Sequence, residues 1–254
     1  SLMLKKNYFL EKLNSGKPVL GTWIMMPSAL TVDIIASTGV DFVIIDREHG
    51  PISFETAQEM AMACESRGVS PIMRVGDIER SFIQNALDIG MHGIQVPNVD
   101  TKQNAADVVK FSKYPPMGDR GFSPFTRAGD YSNHNDTIIT KTANKNTAVI
   151  LNIEGKDAVN NFDEILEVEN ADIYFVGLFD LSKALGIPGD VSNPMVIDAL
   201  AEIIKKANKA GKFVGTIATT KEKMAEFLEM GVKYMVYLVD CEILRSGYES
   251  VVDS

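Results

Sequence analysis

Asp46 and His49 close an apolar run in Asp41-Phe42-Val43-Ile44-Ile45-Asp46-Arg47-Glu48-His49-Gly50. A histidine near a carboxylate can be oriented by it and titrates near neutrality, which is what a general acid or base requires. Arg74 closes a second run, Pro71-Ile72-Met73. A guanidinium there can clamp a carboxylate or neutralise an oxyanion, and can equally pair with Asp46 or Asp77. Asn152 and Glu154 lie at the end of Val149-Ile150-Leu151-Asn152-Ile153, and Asp180 follows Phe175-Val176-Gly177-Leu178-Phe179. Because Asp180 precedes Leu181-Ser182, it can cap a helix, hold a cation, or do both. Two carboxylates with no cysteine and few histidines nearby make an oxygen-rich site, suited to Mg²⁺ or Mn²⁺ more than to a structural zinc.

Several chemistries lack their residues. No lysine sits in the second half of any apolar run, and Lys156 and Lys183 fall just beyond, so metal-assisted chemistry is favoured over a Schiff base. The stretches Ala218-Thr219-Thr220 and Val239-Asp240 lack the glycines of a barrel phosphate cradle, which points to an unphosphorylated acid as substrate. His134 lies in a long irregular stretch and is expected to be exposed. Met60, Met62 and Met73 read as adaptable core filler. Cys64 and Cys241 form no metal or disulfide pattern and read as two reduced, partly buried thiols.

The elements that must carry these residues alternate. Strands are expected at Val19–Met25, Phe42–Ile45, Pro71–Val75, Gly93–Val96, Ala148–Ile153, Ile173–Val176, Phe213–Ile217 and Tyr234–Val239. Their unbroken apolar character is that of strands buried on both faces. Helices are expected between them, including Ala158–Leu166, a turn from Leu181, Pro194–Lys209 and a last one over Glu242–Val252. Gly39, Gly68, Gly90, Gly211 and Gly231 each stand between a helix and the next strand, as C-terminal caps do. From Tyr114 to about Asn135 the rhythm breaks, and an excursion of that length is usually functional or disordered.

Eight strands alternating with helices over this length predict an α/β fold, a (β/α)8 barrel formed as a single domain over residues 1–254. A doubly wound open sheet is the runner-up, but Met26-Pro27-Ser28-Ala29 is not a Gly-rich dinucleotide turn. In a barrel the C-terminal ends of the strands form the active rim. That rule gathers Asp46, His49, Arg74, Asn98, Asn152, Glu154 and Asp180 at one mouth, and leaves His92, Lys212 and Lys233 at the other.

The chain has 254 residues and a net charge of −9, which argues against a nucleic-acid partner. No apolar run is long enough to span a bilayer, and Met3-Leu4-Lys5-Lys6-Asn7 lacks the apolar core of a signal peptide. Ser1-Leu2 reads as a cloning remnant. A soluble cytoplasmic protein is expected.

The chain also resembles the HpcH/HpaI aldolases. The resemblance rests on Gly21-Thr22-Trp23, Ile45-Asp46-Arg47-Glu48-His49, Met73-Arg74-Val75, Leu87-Asp88-Ile89-Gly90, Val96-Pro97, Tyr114-Pro115-Pro116 with Gly118 and Arg120-Gly121, Ile153-Glu154, and Val176-Gly177 with Asp180-Leu181-Ser182. These pieces follow the family order from about Pro18 to Asp240. The resemblance implies a divalent-metal-dependent (class II) aldolase that cleaves a 4-hydroxy-2-oxo acid to pyruvate and an aldehyde through a cation-stabilised enolate. Glu154 and Asp180 would bind the metal, Mg²⁺ or Mn²⁺, with Co²⁺ as a further candidate. Arg74 would hold the keto oxygen. His49, oriented by Asp46, would be the acid/base. Asn152 and the segment Gly177, Leu178 and Phe179 would line the pyruvate pocket. A homo-oligomer is implied, a hexamer or trimer of dimers, with the helix at 241–252 exchanged between subunits; apolar Ile243, Leu244, Val251 and Val252 suit that packing and equally a helix on its own barrel.

The chain departs from the family pattern at three places. Arg47 replaces a small or neutral residue and predicts an extra cation near the site. Asn152 replaces a glutamine. Leu178-Phe179 replaces Pro-Ala, so Phe179 would narrow or re-aim the pocket. Two other readings use the same residues: decarboxylation of oxaloacetate, and a barrel that binds a 2-oxo acid without turning it over.

Overall fold

A computed structural model describes residues 6–254, so the reading of Ser1-Leu2 and the start of the Met3–Asn7 stretch lie outside the described residues. The strands are β1 (Val19–Ile24), β2 (Phe42–Asp46), β3 (Ser70–Arg74), β4 (Gly93–Val96), β5 (Ala148–Ile153), β6 (Ile173–Val176), β7 (Phe213–Ala218) and β8 (Tyr234–Val239). The helices are α1 (Tyr8–Asn14), α2 (Ala29–Ala36), α3 (Phe54–Ser66), α4 (Arg80–Asp88), α5 (Lys102–Ser112), α6 (Asp136–Asn146), α7 (Lys156–Asn160), α8 (Phe162–Leu166), α9 (Leu178–Ala184), α10 (Pro194–Lys209), α11 (Lys221–Met230) and α12 (Asp240–Val252). Every neighbouring strand pair is parallel, and β8 returns to pair with β1. Closure rules out the open sheet.

Local chemistry explains the joins. Ser53, Thr101 and Thr220 cap their helices by accepting hydrogen bonds from backbone N–H groups of the first turn. The five glycines expected at helix ends all adopt positive φ. Two helices differ from expectation. The stretch Ala158–Leu166 divides into α7 and α8 at Asn161. Helix α9 begins at Leu178, so Asp180 sits in its first turn and Gly177 is the cap. An acid in the first turn faces the positive end of the helix, which favours the earlier start.

The core has two parts. Ile45, Met73, Ile94, Leu151, Val176 and Met235 belong to the larger cluster, with the buried faces of the helices. Phe9, Phe42, Ile44, Ile72, Ile150, Phe175 and Tyr234 form the second. Phe42 stacks on Tyr234 with ring centres 4.3 Å apart, and Phe9 from α1 packs against both. Gly21 makes this possible, since a Cβ there would lie 2.5 Å from the Phe42 ring. Met60 and Met73 are core residues, but Met62 is exposed. Cys64 is buried and Cys241 is exposed, so only the first is the buried thiol expected.

The excursion between α5 and α6 is tied to the last turns of α3 and α4, on the N-terminal side of the strands, with one further pair to the start of α4. Arg120 Nη2 donates to Asp88 at 2.8 Å, Arg127 Nη2 to Glu65 at 2.6 Å, and Arg80 Nη1 to Asp119 at 2.8 Å. His134 is half-buried and 2.8 Å from Asp130, where exposure was expected.

Candidate active site

At the C-terminal rim, β2 delivers Asp46 beside Arg74 of β3 because the two are direct register partners. Arg74 Nε donates to Asp46 Oδ1 at 3.1 Å and Nη2 to Oδ2 at 2.5 Å, a bidentate pair with Asp46 fully buried. Trp23 Nε1, from β1, donates to Asp46 Oδ2 at 3.0 Å, and the indole ring lies 4.5 Å from the Arg74 guanidinium. The N–H groups of Glu48 and His49 donate to Asp46 Oδ1 at 2.9 and 3.3 Å. Burial alone would raise the Asp46 pKa, but these donors, Arg74 foremost, outweigh it and hold the carboxyl below its usual range.

This corrects one expectation. Asp46 is occupied by Arg74, Trp23 and backbone, and holds the His49 main chain without touching its ring. The nearest carboxylate to the imidazole is Glu48, whose Oε1 lies 3.9 Å from Nε2. The His49 side chain is 71% exposed and open to the rim. Arg47 also departs from expectation. It turns away from the site, donating to the Ile52 carbonyl and stacking 3.9 Å over Phe54.

Glu154 is held by a buried line of hydrogen bonds through the barrel. Tyr234 OH donates to Gln95 Oε1 at 3.0 Å, Gln95 Nε2 to Asn152 Oδ1 at 3.0 Å, and Asn152 Nδ2 to Glu154 Oε1 at 2.7 Å. Burial pushes the Glu154 pKa up; Asn152 and Arg74 oppose this, while the charges of Glu48 and Asp180 add to it. Burial also raises that of Asp180. The Asp180 carboxylate folds back over Gly177, where a Cβ would sit 2.7 Å from Oδ2. Gly177 is thus the residue that lets Asp180 adopt this pose. Leu178 is half-buried. Phe179 is exposed and its ring reaches toward Gly189, so its bulk lies over the loop after α9. Asn98 is exposed and turns the chain with φ 60°.

Three participants were not singled out from sequence. Gln95 was legible as a polar residue inside the apolar strand Gly93–Val96, and Trp23 as the sole tryptophan at a strand end. Glu48 stood between Asp46 and His49 with no role assigned. Its Oε2 lies 3.2 Å from Arg74 Nη1, yet it is buried with no hydrogen bond.

The donor set fits a hard divalent cation. Asp46, Glu48 and Glu154 share one guanidinium, and burial raises the pKa values of Glu154 and Asp180 more than the charges of Arg74 and Lys183 lower them. Among the described residues no three His, Cys, Asp or Glu side chains surround a common point. A cation here would therefore rest on two carboxylates, with waters and substrate oxygens completing its shell, the manner in which Mg²⁺ is commonly held.

Comparison with known proteins places this geometry in context. Residues 20–246 match the model of the HpcH/HpaI aldolase/citrate lyase family. The chain is 31% identical to a 5-keto-4-deoxy-D-glucarate aldolase of Shigella boydii serotype 18, over 100% of this chain and 98% of the relative. Its structure is similar to an HpcH/HpaI aldolase from Desulfitobacterium hafniense, with a TM-score of 0.91, 28% identity, and 97% and 95% of the two chains covered. It is also similar to the citrate synthase SbnG, with a TM-score of 0.86, 30% identity, and 96% and 95% covered.

Proposed function

This chain belongs to the HpcH/HpaI aldolase/citrate lyase family and is a carbon–carbon lyase of the divalent-metal-dependent aldolase type; we propose that it cleaves a 4-hydroxy-2-oxo acid, of the sugar-acid kind named in its relatives, to pyruvate and an aldehyde. The observation that carries the reading is the surplus of acid around Arg74 at the C-terminal rim.

Glu154 and Asp180 would hold the cation, Mg²⁺, Mn²⁺ or Co²⁺. When bound, it supplies positive charge beside the oxygen that becomes anionic as the bond breaks. Arg74, held rigid by Asp46 and Trp23, still has N–H groups to donate to the same keto oxygen, so charge develops next to a preorganised donor. His49 takes the proton from the C4 hydroxyl. The C3–C4 bond then breaks, its electron pair forming the enolate of pyruvate and leaving the aldehyde. Protonation of the enolate at C3 completes pyruvate. Asn152 fixes Glu154, and the backbone at Gly177, Leu178 and Phe179 borders the pyruvate end.

The test is pyruvate release from a panel of 4-hydroxy-2-oxo acids with each of the three metals. Metal-dependent release that chelation abolishes is expected. Oxaloacetate turned over with Mg²⁺ while every aldol substrate is refused would replace the reading by decarboxylation. Tight pyruvate binding with no turnover of either would replace it by a binding barrel.

A second feature supports an assembly. Helix α12 exposes Ile243, Leu244, Tyr248, Val251 and Val252, and an apolar cavity of about 440 Å³ opens between α2, β8 and the start of α12, lined by Leu20, Ile34, Ile35, Tyr237 and α12's own Ile243 and Leu244. A second copy's α12, rich in the same side chains, is the occupant proposed, giving a homo-oligomer, a hexamer or trimer of dimers. Tyr248→Asp with Leu244→Asp should sediment as a monomer; an unchanged assembly would remove α12 from the interface. Among the described residues no helix is long and apolar enough to cross a membrane.

A further inference from the structure

Glu48 carries a role that the aldolase reading leaves unassigned. Its side chain is only 20% exposed, and Oε2 is buried without a hydrogen bond. A buried carboxylate oxygen with empty lone pairs costs stability unless a donor fills them in the working state. Arg74 does not fill them. Two of its nitrogens are aligned on Asp46, and the third is near Glu48 Oε2 at 3.2 Å but outside hydrogen-bonding geometry. Nor is another cation offered, because Arg47 is turned to Ile52 and Phe54. Glu48 also lies near enough to Glu154 for its charge to push the Glu154 pKa up.

We propose that Glu48 is a positioning residue of the cation site: its unfilled oxygen accepts a hydrogen bond from a water in the shell of a divalent cation held by Glu154 and Asp180. The inference rests on the metal-dependent reading above. It explains why a site already rich in acid keeps another carboxylate. The ion's shell donates to Glu48, and the added negative charge raises affinity without taking a coordination position. Partners of this outer kind commonly change metal affinity by about 10–100-fold.

The competing explanation is that Glu48 braces Arg74. The two are separated by Glu48→Gln, which keeps the shape and removes the charge. Free Mn²⁺ is counted by electron paramagnetic resonance during titration of the full-length protein, and Tm is read with and without the ion. Binding weakened by about 10–100-fold is expected, with Tm in the absence of metal not lowered and the metal-induced rise in Tm reduced. Glu154→Gln is the control and should lose Mn²⁺ altogether. If Glu154→Gln loses the ion and Glu48→Gln binds it as the parent does, the role of Glu48 is overturned and the aldolase reading stands. The same holds if Glu48→Gln lowers Tm without metal and leaves affinity intact, since that marks a brace. If the parent binds no Mn²⁺, the metal site and the inference fall together. Should Gln at position 48 prevent folding, Glu48→Ser, which leaves room for water, is read by the same criteria.

Discussion

At the N-terminal rim of the barrel, acids and bases are mostly paired, with Arg120 Nε the one buried side-chain atom there left without a hydrogen bond among the described residues. Glu65 meets Arg127 and His92, Asp88 meets Arg120, and Asp41 meets Lys12. Lys113 and Lys212 are spent on backbone carbonyls, at 2.8 and 2.7 Å for the first and 3.2 and 2.6 Å for the second. At the C-terminal rim Asp46, Glu48 and Glu154 gather around Arg74, and Asp180 feels only Lys183. Both rims carry a histidine, an arginine and carboxylates, so residue type does not separate them. Balance does. The matched rim closes a fold, while the unmatched rim is short of positive charge and short of a hydrogen-bond donor, the condition of a site completed by something else. The cavity of about 160 Å³ at the N-terminal rim, lined by His92, Arg120, Arg127 and His134, lies among matched pairs and far from that deficit.

The contrast breaks most directly at Glu154. Glu154→Gln should lower metal-dependent pyruvate release by more than about 100-fold, beyond what loss of an outer partner costs, while leaving the fold intact by circular dichroism. Retained activity would show that the acid surplus is not where the ion sits. Next in size is Trp23→Phe, which keeps a ring under Arg74 but removes the N–H to Asp46. The bidentate brace loosens, and kcat should fall about tenfold with Mn²⁺ affinity unchanged. A loss confined to metal affinity would place Trp23 on the wrong side of the site.

The matched rim should answer in stability. Arg120→Met strands Asp88 and should cost about 2 kcal/mol, reduced from the fully buried value because Asp88 keeps some solvent, or roughly 4–8 °C in Tm. Activity per folded molecule at 25 °C should not change; a drop in kcat would mean the two rims are not independent. The smallest effect is in pH. Because the Asp46 carboxyl is held below its ordinary range, its pair with Arg74 contributes full stability above about pH 4 and loses it as pH falls through the lowered value. Acid unfolding of the metal-free protein should therefore be less steep in Asp46→Asn than in the parent. Equal steepness would mean that the brace adds nothing.

Local pattern carried much of this protein. Apolar runs buried on both faces, capping residues and positive-φ glycines made the β/α alternation readable, because each depends on neighbours in the chain. The kinds of residue at the strand ends followed from the same reading: once the strands are placed, Asp46, Arg74, Glu154 and Asp180 must reach one rim. Partner choice was not readable in this way. Asp46 could serve His49 or Arg74, and strand register settled it by setting Asp46 opposite Arg74, leaving only the His49 backbone to Asp46. The irregular stretch from Tyr114 reads in sequence as functional or disordered, and only its ion pairs to Asp88 and Glu65 tie it to the stability rim. The buried line from Tyr234 to Glu154 joins Tyr234 to Gln95 across 139 residues of chain. No local signal spans such a distance. Closing the barrel supplies it, because interior side chains from different strands then share one dry space in which each polar atom must find a partner.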